Sequence, residues 1–323
     1  MNIIFAGFRH SHIEELYRVA AKNAKVRITG CFEADAAARA AAAQNIGIEF
    51  SGKTYGELLA DSAVDAVAIG AAYGDRGAMV IKALEAGKHI ISDKPLCTSL
   101  KELEQIRRLA AAKNLKIGCM LDLRYVPTAL KAKELLQSGK LGAVRNVSFT
   151  GQHYLNYQGR PKWYYEKGKH GGTINDIAIH GVDLIHELTG LKVNKINAAR
   201  CWNAYAGKEP HFNDCAIFMA ELDNGAGLLA DVSYSAPSYG LPTYWNFKFW
   251  CERGLLTFHG FDKKVYVYET GRAEQAFDGS IPTIDYLDEF ITEVEKGTAR
   301  LTENVLSMTE VCLKIQKFAD EKE

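Results

Sequence analysis

The chain has no surplus of either charge: 39 Lys and Arg residues balance 39 Asp and Glu over 323 positions. That argues against a broad nucleic-acid footprint, which needs a basic excess, and gives no reason to expect attraction to an anionic membrane. No apolar run approaches the length of a membrane span. The run Ile3-Ile4-Phe5-Ala6 is too short for a signal-peptide core, and no basic region precedes it, so a cytoplasmic protein is expected. Seven cysteines (31, 97, 119, 201, 215, 251, 312) include no CxxC pair and no metal-finger spacing, which fits reduced thiols. There is no internal repeat. Proline is scarce, with seven in the chain, and one of them marks the stretch of most interest.

That stretch is His89-Ile90-Ile91-Ser92-Asp93-Lys94-Pro95. A short apolar run is cut off by Pro95, which fixes its own φ, donates no hydrogen bond and pushes Lys94 out of the α region. Lys94 is thus held at the carboxyl end of a strand, the end that faces the ligand crevice of an open α/β sheet. Around it, residues 2–7, 25–33, 64–71 and 116–121 read as further strands, with a short one possible at 46–50. Segments 8–21, 34–44, 54–60, 76–86 and 99–113 read as helices. This alternation predicts a doubly wound parallel sheet over residues 1–121.

The first strand-to-helix turn of such a sheet holds a dinucleotide phosphate when it carries GxGxxG. Here it reads Gly7-Phe8-Arg9-His10-Ser11-His12, with only the first glycine kept. Arg9 can replace lost backbone contacts by pairing with a phosphate, or can simply fill space where no pyrophosphate sits. Glu33, at the end of the second strand, can accept hydrogen bonds from a ribose 2′-hydroxyl, which favours NAD and leaves NADP open; it can equally serve the next helix as a first-turn acid. His10 and His12 form an HxH pair, but no neighbouring Cys or acid completes a ligand set, so no metal is expected.

After a linker and helix at 124–138 the pattern changes to strands at 143–153, 193–202, 212–222, 227–236, 244–251, 255–259 and 265–269, with turn signals at Asp223-Asn224-Gly225 and Glu252-Arg253-Gly254. Residues 122–323 are therefore expected to form an α+β domain with a large, mostly antiparallel open sheet, closed by helices at 283–295 and 302–319. The last of these is free to pack back on the first domain. Tyr244, Trp245, Phe247, Phe249 and Trp250 suggest an uncovered apolar face and a homodimer or homotetramer built on it, unless they pack within the domain's own core. Residues 171–187 read as a helix on which Asp176, His180, Asp183 and Glu187 share one stripe. Asp176 and His180, four apart, can touch; a carboxylate raises imidazole basicity and suits a general base. The same pair also fits a divalent cation or a solvated face.

Taken in order, Ala83-Leu84-Glu85-Ala86-Gly87-Lys88-His89, Asp93-Lys94-Pro95, Arg124-Tyr125 with Pro127, Ser138 to Gly142, and Gly171-Gly172-Thr173 with Asp176 and His180 resemble the Gfo/Idh/MocA oxidoreductase family. Asp93 stands in the place of that family's Glu-Lys-Pro glutamate. The resemblance implies a Rossmann domain, a second α/β domain with an open sheet used for dimerisation, and NAD(P)-dependent oxidation or reduction of a sugar or polyol. It implies that Lys94 sits between nicotinamide and substrate, that Asp176 holds substrate hydroxyls and that His180 is the acid/base. Cofactor contacts would come from Gly7, Phe8, Arg9, His10, Ser11, His12, Glu33, Ala71, Tyr73, Asp93, Lys94 and Pro95. The segment Ala71 to Arg76 departs from the family's Thr-Pro-Asn.

Tyr154 and Trp163 are candidate substrate contacts, because aromatic faces stack on sugar C–H surfaces; Arg124 and His153 are further candidates. Oxidising a secondary alcohol needs a base for the O–H proton, a cation near the developing oxyanion and a hydride acceptor. Two other readings stand beside this one. A non-catalytic ligand-binding or regulatory protein on the same scaffold would explain the altered phosphate turn. A metal-dependent sugar lyase or isomerase would use Asp176 and His180.

Overall fold

A computed structural model describes residues 1–241 and 244–321. The chain forms two compact units. The first comprises Met1–Met120, Pro161–Gly171 and Tyr286–Glu310; the second comprises Leu121–Arg160, Gly172–Asp285 and Val311–Glu323. The expected second domain runs unbroken over 122–323, with its last helix free to pack back on the first; residues 161–171 and 286–310 group with the first unit.

In the first unit, β1 (Asn2–Ala6), β2 (Arg27–Phe32), β3 (Ala66–Ile69), β4 (His89–Ser92) and β5 (Ile117–Cys119) form a sheet in the order β2-β1-β3-β4-β5. Every pairing is parallel. The strand order reverses between β1 and β3, which is the switch point where such sheets bind ligands. The small apolar β3 is buried at every position, as a strand covered on both faces should be. Helices α1 (His12–Lys22), α2 (Ala36–Ile46), α3 (Tyr55–Leu59), α4 (Tyr73–Glu85) and α5 (Leu100–Lys113) connect the strands. The starts of α2, α3 and α5 carry side-chain caps at Asp35, Thr54 and Ser99. The short strand expected at 46–50 does not form: Ile46 ends α2, and 47–50 has no regular structure.

In the second unit, α6 (Pro127–Gln137) and α7 (Ile179–Thr189) accompany β6 (Val144–Tyr154), β7 (Val193–Trp202), β8 (Cys215–Leu222), β9 (Gly227–Ala236), β10 (Trp245–Cys251), β11 (Gly254–His259), β12 (Lys264–Glu269) and β13 (Gln275–Asp278). The order is β13-β12-β11-β10-β6-β9-β8-β7. Only the β6–β9 pair is parallel among these described strands. The aromatic strand β10 corrects one expectation. Trp245, Phe247 and Phe249 are buried in the core, and Trp250 alone of the apolar set points out, at 50 % exposure. Period-two alternation puts 245, 247 and 249 on one face and 250 on the other. The outward face instead carries Ile217, Met219 and Leu229 with Trp250.

Phe149 of β6 meets α7 at Gly181, where a Cβ would lie 2.2 Å from the Phe149 ring. The helix can approach the sheet this closely only because residue 181 has no side chain. In the first unit, α8 (Tyr286–Lys296) and the start of α9 (Arg300–Asp320) pack at β5. Phe290 lies against Gly118, and Thr302 Oγ1 accepts from the Ile117 N–H at 2.9 Å.

Two outcomes follow. Gly181→Ala should lower unfolding free energy by about 1–3 kcal/mol through overpacking, read as a shifted urea midpoint. All seven cysteines are free, and Cys251 is the one not fully buried; burial pushes its thiol up to about 11. At most one thiol should therefore react with Ellman's reagent in the native protein, slowly, and all seven after unfolding.

Candidate active site

In the first unit the turn after β1 is set by Gly7, at φ +83, where a Cβ would lie 2.5 Å from Ala71 N. Its neighbours' N–H groups are used internally: Gly7 donates to Phe32 O at 2.9 Å, Arg9 donates to Gly70 O at 3.0 Å, and Phe8 donates to Glu33 Oε2. The buried Glu33 also accepts from the Asp35 N–H at 2.8 Å. Arg9 pairs with Asp35 at 3.6 Å. The N–H groups of His10, Ser11 and His12, at the start of α1, have no acceptor among the described residues. They form the part of the turn still suited to an anion. Beside the end of β2, a cavity of about 450 Å³ is lined by Glu33, Arg39, Phe50, Lys53 and Thr54 among others.

At the end of β4, Lys94 is 3 % exposed and its peptide bond to Pro95 is cis. The organiser here is a residue that sequence reasoning passed over. Arg76 is fully buried on α4. It donates to Ala71 O at 2.8 Å, Asp93 O at 2.9 Å, Pro95 O at 2.8 Å and Asp93 Oδ2 at 3.0 Å. Both neighbours of Lys94 are thereby fixed through their carbonyls. The Asp93 carboxylate also meets His10 Nδ1 at 2.8 Å and His12 Nδ1 at 3.2 Å. Burial opposes its charge, but Arg76 and the two imidazoles hold the carboxyl well below the usual range. Burial pushes the His10 imidazole down to about 4. Arg76 was visible in the sequence as one charge on the otherwise apolar α4 face of 73, 76, 77, 80, 83 and 84.

Tyr73, fully buried, lies under Lys94, whose Nζ is 5.7 Å from the ring centroid. The Tyr73 hydroxyl pairs with that of Tyr164 at 2.8 Å. Trp163, expected to stack on substrate, is instead 2 % exposed, with its ring 4.9 Å from Tyr73 and its Nε1–H donating to Arg9 O at 3.0 Å. Its faces are taken up by packing within the first unit.

In the second unit the helix at 171–187 opens with a π turn at Ile174–Ala178 before α7. Asp176 therefore stands in a wider turn than His180, and the regular four-residue stripe does not run through both. The Tyr234 hydroxyl donates to Asp176 Oδ2. Arg160 lies over the Tyr234 ring, 4.8 Å from its centroid. His180 is 4 % exposed, with Nδ1 3.5 Å from Asp122 Oδ1 and its ring 5.6 Å from Trp245. His153 lies 5.4 Å from Trp245 and 6.2 Å from Tyr234. The fold thus brings together Asp176, His180 and His153 around Tyr234 and Trp245. Tyr154, the next candidate on β6, packs against Tyr239 at 4.9 Å.

The remaining stripe residues do other work. Arg124, expected at the substrate, makes a buried two-point pair with Asp183, Nε to Oδ2 at 2.6 Å and Nη2 to Oδ1. Glu187 pairs with Lys133. Arg124→Met should destabilise the protein by about 3–5 kcal/mol by leaving Asp183 charged and unpaired; adding Asp183→Leu should recover much of that loss. Chemical denaturation of the single and double variants checks this.

Comparison with known proteins places these features. Residues 1–120 match the family model for the oxidoreductase family with an NAD-binding Rossmann fold, and residues 129–257 match the Gfo/Idh/MocA C-terminal domain. Scyllo-inositol 2-dehydrogenase (NAD(+)) of Bacillus subtilis is 30 % identical over 204 residues, covering 61 % of this chain and 56 % of its own. D-xylose dehydrogenase of Paenarthrobacter nicotinovorans is 30 % identical over 167 residues, covering 47 % of this chain and 42 % of its own. The matches thus span about half the length of these relatives. Among solved structures, levoglucosan dehydrogenase in complex with NADH and levoglucosan superposes at TM-score 0.83 with 20 % identity, covering 100 % of this chain and 98 % of the other. An oxidoreductase domain protein from Kribbella flavida superposes at TM-score 0.84 with 20 % identity, covering 99 % of this chain and 97 % of the other.

Proposed function

Because the chain belongs to the Gfo/Idh/MocA oxidoreductase family, we propose that it transfers a hydride between NAD(P) and a sugar, inositol or related polyhydroxy compound. The observation that carries this reading is that Lys94, Asp176 and His180, to which the resemblance gives the catalytic roles, are each buried and each set against named neighbours. The dinucleotide fits the first unit: the start of α1 keeps N–H groups for a phosphate, and the cavity at the end of β2 offers Glu33 and Thr54 to a ribose and Phe50 to a base. Glu33 is an acid in that cavity and favours NAD over NADP. Ala71, Tyr73, Asp93 and Pro95 complete the cofactor side.

When bound, the nicotinamide takes or gives the hydride. The rest of the chemistry belongs to the chain. His180 takes the proton of the reacting hydroxyl and returns it in the reverse direction. The Lys94 ammonium stabilises the oxygen as negative charge develops on it. Asp176, braced by Tyr234, accepts hydrogen bonds from substrate hydroxyls, and His153 and Tyr154 contribute to the same wall. Burial of these groups excludes water and strengthens each interaction. The outward face of the second sheet, with Ile217, Met219, Leu229 and Trp250, carries the contact between copies of the chain.

A second reading, a ligand-binding or regulatory protein on the same scaffold, is favoured by one observation: the Phe8 and Arg9 N–H groups, which face a phosphate in a glycine-rich turn, are already satisfied. Calorimetric titration with NADH and then NADPH separates the two. Binding of either, followed by nicotinamide absorbance changes in a polyol screen, supports the dehydrogenase; no binding to folded protein supports the alternative. In the active enzyme, His180→Ala should lower kcat by about 10²–10⁴-fold, and Lys94→Ala by a comparable factor. Full turnover in either variant would remove the proposed roles.

A further inference from the structure

The HxH pair finds in three dimensions the acid that its own segment lacks. Asp93 arrives from the end of β4, 83 residues from His10 and 81 from His12. One ligand atom from each of the three residues lies within 4.8 Å of the others. The His12 Nδ1–Asp93 Oδ1 separation of 3.2 Å is close to the spacing of about 3.3 Å between ligands on one tetrahedral ion bound at ~2.0–2.1 Å, and His10 Nδ1 lies 2.8 Å from the other carboxylate oxygen. We propose that His10, His12 and Asp93 bind a divalent transition-metal ion of the Zn²⁺ type.

The donor set selects that class. Two imidazole nitrogens and one carboxylate oxygen suit Zn²⁺ and its first-row neighbours, whereas Mg²⁺ and Ca²⁺ seek oxygen ligands. The carboxylate is also supported from behind. Arg76 holds Asp93 Oδ2 at 3.0 Å, while its other donors are committed to the carbonyls of Ala71, Asp93 and Pro95. The guanidinium is thus fixed by backbone and orients the carboxylate, leaving Oδ1 toward the metal, as outer partners do in metal sites. Access comes from one side: the His12 side chain is 38 % exposed, whereas that of His10 is 11 % exposed and that of Asp93 is fully buried. Three protein ligands leave at least one coordination position open. The ion and Arg76 together outweigh the single negative charge of Asp93, so the open position takes an anionic ligand in preference to a cationic one.

The competing arrangement is a plain hydrogen-bond network in which Asp93 accepts from both imidazoles and no ion enters. The two differ in metal affinity, which is measurable without dinucleotide or substrate. Full-length protein stripped with a chelator should bind one Zn²⁺ per chain in a calorimetric titration with micromolar or tighter Kd. The Co²⁺-loaded form should show a visible absorption band of a low-coordinate site. His12→Ala, whose side chain is partly exposed and whose fold circular dichroism can verify, should weaken Zn²⁺ binding at least about ten-fold and abolish the band; His10→Ala should do the same. The proposal is overturned if wild-type protein takes up no Zn²⁺ at micromolar concentration, or if folded His12→Ala binds it as the wild type does.

Discussion

A buried charge pair, Arg76 with Asp93, is the constraint from which the ligand-facing end of the first unit follows. A guanidinium in the interior must place every donor, and here it does so on the carbonyls at the ends of β3 and β4 and on the carboxylate between them. One side chain therefore ties the ends of β3 and β4, next to the switch point. Lys94 stands between two residues whose carbonyls are both held, so its backbone has little freedom. The same carboxylate then reaches across to His10 and His12 in the turn after β1. Turn, lysine and helix α4 form one polar assembly rather than three separate features, because none of its buried groups can be satisfied by water.

The second unit divides its polar helix into two functions. Toward the carboxyl end of α7, Asp183 and Glu187 neutralise Arg124 and Lys133, which is structural work. Toward the amino end, Asp176 meets Tyr234 and His180 lies beside Trp245 and Asp122. The π turn lies at the amino end and carries Asp176. Such turns recur at functional sites because they release a side chain from the regular helical ladder.

Much of this was legible in the sequence, and the boundary of legibility has a physical cause. Alternating apolar runs gave the parallel sheet, the hairpins and the strand carrying Lys94, since periodicity is a local property. Partners distant in sequence were not legible: Arg76 and Asp93 are 17 residues apart, Asp176 and Tyr234 are 58 apart, and His10 finds its acid 83 residues away. Side chains that look free in a linear reading were spent in the fold. Arg124 and Trp163 read as substrate contacts because charge and aromaticity are ligand chemistry, yet one neutralises Asp183 and the other packs on Tyr73. The aromatic strand β10 failed as an exposed surface for a simpler reason: alternate residues of a strand face opposite ways, and the larger share of its rings faces the core.

Glu33 has a consequence for anyone altering nucleotide preference. The usual design route replaces the acid at the end of the second strand with a small or basic residue to admit a 2′-phosphate. In this chain that acid is also a brace: one carboxylate oxygen accepts from the Phe8 N–H and the other from the Asp35 N–H. Exchanging it frees the turn after β1 and the start of α2 together. A loss of affinity in such a variant would report a loosened cradle as much as a changed recognition. If Glu33 reads the ribose as proposed, specificity cannot be rewritten at that position without first rebuilding the support beneath it.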